Sequence, residues 1–261
     1  MRLIVTDVED VPDLEGVGEG IVDAVVVAEL LPLPVPELVP LPVAEAGPDG
    51  GAGADCEPNT EAVPVTHALA LRSDGSVWAW GGNASGQLGD GSFKPSRIPV
   101  ATGLGQIVRI RAGGDVSMAI SQRRALYLWG ENADGQLGLG SAATTDVGVP
   151  TAALRDMVDG AAGDRGSIAL GSNGLLVAAG ANDAGSLGDG GTTARNSFAA
   201  VSVVSQGIAV DIGGLSFAAA IGADGTTWTW GDNSSKQLGN ASITTTSTPT
   251  PTVVPSFDAI P

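Results

Sequence analysis

The sequence predicts an all-β protein in which about four repeated sheets stack as the blades of a β-propeller, forming a partial or open ring. A ten-residue motif recurs in register, beginning at Trp80, Trp129, Ala179 and Trp230, with steps of 49, 50 and 51 residues. Short alternating apolar segments and turn sequences fill each period. Thirty-nine glycines and 16 prolines suit short strands joined by tight turns. Self-similarity at this period indicates a repeat architecture.

The order of strands within a unit is clearest in the second copy. Ile107–Arg111 is a β-branched, alternating segment and predicts the opening strand. Val116–Ile120 and Leu126–Trp129 predict the second and third strands. The motif follows the third strand, and a polar span then leads to a fourth extended segment at Pro150. Each unit is therefore expected to be a small antiparallel sheet.

The hairpin between the second and third strands is marked by dipeptides that accept positive φ at both central positions of a two-residue turn. They are Asp74-Gly75, Asn173-Gly174 and Asp224-Gly225. Such a sheet has two apolar faces that neighbouring units must cover, and radial stacking of these sheets gives a propeller. We expect units at about 61–106, 107–156, 157–206 and 207–255, with residues 256–260 as a strand that closes the first unit.

The repeated motif predicts structural roles for its residues. A Trp supplies buried area at the end of the third strand, and the Gly after it permits close backbone approach. An Asn suits a turn because it tolerates left-handed φ and bonds nearby backbone. A Leu anchors the loop between blades. The motif residues are Trp80, Gly81, Asn83, Gly86, Leu88, Trp129, Gly130, Asn132, Gly135, Leu137, Gly180, Asn182, Gly185, Leu187, Trp230, Gly231, Asn233 and Leu238.

Residues 1–60 differ in composition from the rest of the chain. They hold 13 of the 29 acidic residues and one of the 12 basic residues. An apolar run, Ile21–Leu31, leads into Leu31–Pro42, where alternating prolines remove amide donors and favour an extended polyproline conformation. No two of these prolines have the P-x-x-P spacing that proline-binding grooves recognise. The segment is therefore predicted to be an acidic, Pro/Gly-rich linker or disordered tail.

The charge balance disfavours several classes of partner. The net charge is −17, so the chain lacks the basic footprint of a nucleic-acid-binding protein. The single Cys56 excludes an internal disulfide and a Cys-based zinc site. No apolar run approaches the roughly 18 residues that span a bilayer. We expect no cofactor, no nucleic acid and no membrane insertion. No export signal is visible, and localisation stays open between secreted, cell-surface and cytoplasmic.

The sequence offers little chemistry for catalysis. His67 is the only imidazole, so neither a multi-His metal site nor a separate Ser-His-Asp set can be assembled. Asp134-Gly135 and Asn182-Asp183 lack the spacing of a calcium loop. The Gly-rich segment 185–191 lacks the Lys-Ser/Thr ending of a phosphate loop. Paired carboxylates for glycoside hydrolysis stay open by residue type, but no spacing indicates them. We predict no catalytic or metal-binding residues.

The candidate contact residues lie outside the repeated motif. Arg123 and Arg124 stand at a hairpin tip where the other copies carry a turn dipeptide, and two planar cations there suit a carboxylate-rich partner. Arg109 and Arg111 lie on one face of an opening strand, where they either line a central channel or extend their stems between blades. The long polar connections supply the variable surface; they are Ser92–Arg97, Ser141–Val149, Gly190–Ser197 and Ala241–Thr248.

These features resemble the repeat of the regulator-of-chromosome-condensation (RCC1) family over residues 61–260. The resemblance rests on His67–Leu71, Asp74-Gly75, Val77–Gly81, Asn83 and Gly86–Gly89 at a period of about 50 residues. It implies a β-propeller, usually of seven blades, of the kind found in bacterial relatives.

The chain also departs from the family pattern. Only four motifs are present, and the third has Ala179 and Ser186 in place of Trp and Gln. The spacings leave no room for the inserted hairpin that family members use on a GTPase, so exchange activity is not implied.

Three functions follow as hypotheses. The leading one is a non-catalytic protein–protein interaction module that binds a partner through its variable inter-strand loops. The alternatives are a nucleotide-exchange regulator of a small GTPase, by family analogy, and a propeller-type carbohydrate-active enzyme. Four blades leave two open blade faces, which also predicts self-association.

Overall fold

The computed structural model describes residues 67–140, 146–202, 204, 206–213 and 216–255, together with the backbone of 25–30. These residues form four sheets of four strands each and contain no helix. The strands are β1 Val25–Leu30, β2 His67–Arg72, β3 Val77–Gly81, β4 Ser96–Ala101, β5 Ile107–Gly113, β6 Val116–Ser121, β7 Leu126–Gly130, β8 Val147–Leu154, β9 Met157–Ala162, β10 Gly166–Gly171, β11 Leu176–Gly180, β12 Arg195–Ala200, β13 Gly207–Gly213, β14 Phe217–Gly222, β15 Thr227–Asp232 and β16 Ser247–Val253.

Each sheet is one blade, and its strands follow chain order from the inside outwards. Blade 1 holds β1 to β4, blade 2 holds β5 to β8, blade 3 holds β9 to β12 and blade 4 holds β13 to β16. The strand β5 lies beside β2, β9 beside β5, and β13 beside β9. The sheets therefore stack side by side as an arc of propeller blades, which confirms the predicted fold class.

Blade 1 obtains its innermost strand from a part of the chain that the sequence predicts to be linker. Val25–Leu30 pairs parallel with β2, in register Val25 with Ala68 and Val27 with Ala70. The inner strands of blades 2 to 4 pair antiparallel with their neighbours. The β-branched run at Val25–Val27 thus pairs with the inner edge of β2 and covers that sheet edge. The tail 256–260, expected to close this unit, and the rest of 1–60 lie outside the described residues.

The hairpins between second and third strands differ from the predicted turn type. Only the glycine of each dipeptide is left-handed, with φ of 79° at Gly75, 77° at Gly174 and 82° at Gly225. The amide of Gly75 donates to the carbonyl of Arg72 at 2.9 Å, and the amide of Arg72 donates to the carbonyl of Ser76 at 3.0 Å. This pattern is a three-residue loop that ends in a glycine bulge, so the residue before each glycine keeps an ordinary φ.

The hydrophobic core lies between the blades. Three buried clusters fill the junctions of blades 1 and 2, 2 and 3, and 3 and 4. Each cluster contains the motif leucine of the earlier blade, which is Leu88, Leu137 or Leu187. A blade buries its faces only against its neighbours, which is the stacking that the repeat predicts.

The strands place all connections at two ends of the blades. We call the end that carries the repeated motifs and the turns between first and second strands the loop face. The other end carries the hairpin tips between second and third strands and the links between blades, and we call it the hairpin face.

Candidate functional site

The motif asparagines fix the start of each variable connection on the loop face. The side-chain amide of Asn83 donates to the carbonyls of Ser92 and Lys94 at 3.1 and 3.0 Å, and its oxygen accepts from the amide of Leu88 at 2.9 Å. Asn182 likewise donates to the carbonyls of Gly191 and Thr193 and accepts from the amide of Leu187. Asn233 donates to the carbonyl of Thr245 and accepts from the amide of Leu238. None of the four asparagines has a positive φ. The asparagines therefore do not adopt the left-handed φ that was expected of a turn, but they do bond the nearby backbone as expected.

The motif tryptophans join consecutive blades. Trp129 of blade 2 donates its indole N–H to the carbonyl of Gln87 in blade 1 at 2.8 Å. Trp230 of blade 4 donates to the carbonyl of Ser186 in blade 3 at 2.8 Å. Both rings are fully buried, whereas Trp80 of blade 1 is only partly buried. At these two joints a backbone carbonyl of one blade is therefore satisfied by the tryptophan of the next.

The joint between blades 1 and 2, which we call the first joint, contains two further polar residues. The Ser117 hydroxyl donates to the Gln87 carbonyl at 2.7 Å and lies 2.7 Å from Nε2 of His67. The single proton of that hydroxyl is donated to the Gln87 carbonyl, so Nε2 of His67 carries a proton and donates to Ser117. Nδ1 is therefore unprotonated and has no hydrogen-bond partner in its buried site. Burial lowers the pKa of His67 to about 4. The imidazole is thus a neutral, buried packing group. Ser117 was not identified from the sequence.

The joint between blades 2 and 3, which we call the second joint, lacks the bonds made by the tryptophan and the serine. It uses an aromatic ring from another strand. Ala179 stands where the other copies have Trp, and the Phe198 ring of β12 packs over Gly138 next to Ala179. Strand pairing aligns Phe198 with Pro99, Pro150 and Pro251 of the other blades. The one blade without the tryptophan therefore has Phe where the others have Pro, a signal that was present in the sequence.

Carboxylates concentrate on the loop face around the joint between blades 2 and 3. Burial, followed by the nearby charge of Asp164, raises the pKa of Asp115 to about 6. Burial and then Asp115 raise the pKa of Glu131. Asp115 also accepts a hydrogen bond from Nε2 of Gln87 at 2.8 Å, so it belongs to the first joint. Arg165 bridges Asp134 and Asp183 at 2.9 and 2.7 Å.

Arginines concentrate on the hairpin face. Arg123 and Arg124 occupy the tip of blade 2, and Arg155 lies in the link that follows β8; all three are exposed. Arg109 and Arg111 on the inner strand β5 both face Asp159 of β9, at 3.6 and 3.3 Å. An open depression of about 720 Å³ lies beside them, between the end of β2 and β5. The opening-strand arginines therefore line the interior side of the arc.

The described ranges contain no group of three His, Cys, Asp or Glu side chains able to hold a metal ion. In the same part of the chain there is also no helix with the length and hydropathy of a membrane span.

Sequence comparison identifies the repeat. The family profile described as the regulator of chromosome condensation (RCC1) repeat matches residues 74–120, 125–170 and 224–260. The first match covers parts of blades 1 and 2, the second covers parts of blades 2 and 3, and the third lies on blade 4.

Solved structures share the architecture. The chain is similar to yeast RCC1 (Prp20), seen bound to Kap60, with 24% identity over 74% of this chain and 47% of that chain and a TM-score of 0.65. It is also similar to Prp20p from Saccharomyces cerevisiae, whose binding to Gsp1p and histones was described, at 24% identity, with 74% and 49% covered and a TM-score of 0.65. Human WBSCR16 gives 24% identity, 74% and 53% coverage and a TM-score of 0.63.

The chain spans about half the length of these relatives. Their identity is below 25%, so they establish the fold, while the repeat profile establishes the family. On the recurring motif, the blade architecture and the profile matches together, the chain belongs to the RCC1 repeat family.

Proposed function

We propose that this chain is a non-catalytic protein-binding module that contacts its partner through the variable connections of the loop face. The observation that best supports this proposal is the set of bonds from the motif asparagines to the loop backbone, which we call the asparagine clamp. Asn83, Asn182 and Asn233 bind backbone carbonyls within these connections and so fix the backbone that carries their side chains. A fixed backbone that presents changeable side chains lowers the entropy cost of binding.

The connections differ in sequence and expose suitable groups. Gly190–Ser197 and Ala241–Thr248 are mostly exposed and polar. In the first connection the Phe93 ring is about half exposed (52%) and lies against Gly148 of β8, next to the half-exposed Val149. Protein interfaces commonly combine an aromatic anchor with a polar rim. This pairing favours a protein partner over a small ligand.

Family likeness supports a binding role and leaves nucleotide exchange as the alternative. RCC1 repeat proteins are generally non-catalytic regulators, and Prp20p is described with Gsp1p and histones as binding partners. Within the described residues, every hairpin between second and third strands is a tight three-residue loop or its equivalent. The exchange hypothesis therefore finds no inserted hairpin in this part of the chain to support it.

The test removes loop side chains and keeps their backbone. The whole chain serves as bait for cross-linking in extract, the recovered partner is purified, and its Kd is measured. Phe93→Ala with Arg97→Ala should weaken that Kd about tenfold or more, since interface anchors contribute about 2 kcal/mol or more. Leu175→Ala, which removes a comparably exposed apolar side chain on the hairpin face, is the matched control.

An unchanged Kd in the Phe93/Arg97 variant would contradict the proposal. Accelerated nucleotide release from a purified small GTPase would favour the exchange alternative. Hydrolysis of a sugar panel, abolished by Asp115→Asn, would favour the carbohydrate-active enzyme, because Asp115 has a raised pKa on the loop face.

A further inference from the structure

We propose that the hairpin face over blade 2 is a second binding surface, and that it takes an acidic peptide segment. Its contact residues are Arg123, Arg124 and Arg155, with Arg72 and Arg109 on the adjoining depression. This surface lies at the opposite end of the blades from the loop face, so it goes beyond the proposed function.

Charge is distributed unequally between the two ends of the blades. The chain carries a net charge of −17, and the carboxylates around Asp115 and Glu131 lie on the loop face. On the hairpin face the arginines of blades 1 to 3 outnumber the nearby carboxylates, which are Asp74, Asp156 and Asp159. Among the described residues, the hairpin face is thus a local cationic surface on an acidic protein, and such a surface attracts and orients an anionic segment.

Three of the cations are available for a ligand. The side chains of Arg123, Arg124 and Arg155 are exposed and make no hydrogen bond or ion pair with any described residue. Arg72 reaches Asp74 only at 3.5 Å, with both side chains about half exposed. Exposed pairs of this kind contribute little, so Arg72 can exchange its partner at small cost.

The backbone that carries the arginine pair is fixed on both sides. The amide of Gln122 donates to the carbonyl of Gln106 at 2.8 Å, and the amide of Arg124 donates to the carbonyl of Ser121 at 2.8 Å. On the other side, the carbonyl of Arg124 accepts from the amide of Met157 at 3.0 Å. The tip is therefore held in place by both neighbouring links, and only the long side chains need to order on binding.

The conformation of Arg124 is strained. Its φ is 61°, in the left-handed region, at the position that Gly75, Gly174 and Gly225 occupy in the other blades. The left-handed conformation is less favourable for a residue that carries a side chain than for glycine. Residues kept in such conformations cluster at functional sites. Arg124 therefore places a cationic side chain at a position where the other blades have glycine.

The neighbouring depression extends the surface. Arg111 and Arg109 share the single carboxylate of Asp159, and the Arg109 side chain is half exposed. The depression of about 720 Å³ is also lined by Arg72, Gln122 and the hairpin at 73–75. A carboxylate entering it would meet planar guanidinium donors suited to bidentate binding.

The observations favour a short acidic peptide over nucleic acid. A long polyanion would also approach the carboxylates that give the chain its net charge of −17, and repulsion would oppose it. A short peptide of Glu or Asp residues contacts only a local surface, on which the arginines outnumber the carboxylates.

The experiment measures binding of a fluorescein-labelled octaglutamate peptide to the full chain by fluorescence anisotropy, at low and raised salt. Arg123→Asp with Arg124→Gly recreates the Asp-Gly tip of blades 1 and 4 and should weaken binding at least tenfold. The same variant should unfold at a higher urea concentration than the wild type, because glycine relieves the left-handed strain.

The matched control is Lys236→Gly on the loop face. Lys236 is also exposed and left-handed, with φ of 66°, where the other motifs have glycine. The Lys236→Gly substitution therefore removes one charge and one strained residue, as Arg124→Gly does, but should leave peptide binding unchanged. Arg124→Gly alone should weaken binding several-fold.

Binding should weaken as salt rises, since it depends on exposed charges. The proposal is overturned by any of four results: no binding of the peptide, binding unaffected by the Arg123/Arg124 variant, equal loss in Lys236→Gly, or tighter binding to a DNA oligonucleotide of equal charge. The loop-face variant Phe93→Ala with Arg97→Ala should retain peptide binding, so failure of the proposed function is distinguishable from failure of this one.

Discussion

The first and second joints of the arc solve the same packing problem with different chemistry. At the first joint, the Gln87 carbonyl accepts from Trp129 and Ser117, and His67 caps the serine. At the second joint the tryptophan is absent, Phe198 fills the space from the outer strand, and the hydroxyl of Ser167 is buried without a partner. The two joints therefore fill the same position with different rings and form different hydrogen bonds.

This difference separates two sources of stability. The first joint buries a tryptophan ring whose N–H is hydrogen-bonded to the preceding blade. The second packs a partly buried phenylalanine and is bridged by Gln136, which donates to the Asp164 carbonyl, and by the ion pair of Arg165 with Asp134. Each joint keeps one buried polar atom without a partner, Nδ1 of His67 at the first and the hydroxyl of Ser167 at the second. A fully buried ring contributes more to stability than a partly buried one, so we expect the second joint to be the weaker. If so, substitutions at equivalent positions of the two joints should have unequal effects.

The largest effect is expected from Trp129→Ala. The ring is fully buried between blades 1 and 2 and satisfies the Gln87 carbonyl. Its removal should lower the free energy of unfolding by about 3–5 kcal/mol, measured by urea denaturation followed by circular dichroism. Trp80→Ala is the control, because Trp80 is only partly buried. Equal losses in the two variants would contradict the role of Trp129 as an inter-blade joint.

The second prediction concerns acid stability and His67. The folded pKa of this residue is about 4, below its ordinary value of 6.5. The unfolded chain therefore binds more protons between these values. The contribution of His67 to stability is fully present above pH 6.5 and is lost as pH falls towards 4. We expect a loss of about 3 kcal/mol across this window, which His67→Gln should abolish, since Gln keeps a donor for Ser117 but does not titrate.

Asp115 opposes His67 in the same window. Burial raises its pKa from 3.8 to about 6, so its contribution is present below pH 3.8 and is lost as pH rises through 6. Asp115→Asn should therefore make the acid-induced loss of stability steeper than in the wild type. A slope of stability against pH that neither variant changes would show that other groups control the acid response.

Much of this fold could be predicted from the sequence, because a repeat presents the same evidence several times. The motif period, the strand order and the buried leucines follow from residues such as Leu88 and Leu137, which recur in register. Strand β1 could not be predicted, because its pairing with β2 joins segments far apart in the chain, and nothing local to Val25–Leu30 specifies that edge.

The contacts of the candidate sites were harder to predict than the blades. Arg123 and Arg124 were found because they break the turn pattern of the other copies, but their proximity to Arg155 depends on the link between blades. Phe198 was missed because compensation for Ala179 comes from a different strand of the sheet. Local patterns identify positions within a unit, whereas joints depend on pairs of units.

The third prediction tests the replacement of the tryptophan at the second joint. Phe198→Ala should lower the free energy of unfolding by about 2 kcal/mol, less than a fully buried ring because Phe198 is partly exposed. Ala179→Trp alone should also destabilise, since Phe198 occupies the space. Ala179→Trp with Phe198→Pro recreates the pattern of the other blades, and its cost should be at least 1 kcal/mol below the sum of the single changes. Additive effects would contradict the compensation.

The smallest effects are expected from two serines at equivalent positions of the two joints. Ser117→Ala removes the hydroxyl that links His67 to the Gln87 carbonyl, and leaves the buried Nε2–H of His67 unsatisfied, so it should cost about 1–2 kcal/mol. Ser167→Ala removes a hydroxyl that has no partner in its buried site, so it should be neutral or slightly stabilising. Urea denaturation of both variants at pH 7 provides the measurement. A cost at Ser167 equal to that at Ser117 would show that the Ser167 hydroxyl makes a polar contact, such as one to a buried water. The two serines would then have equivalent roles in their joints.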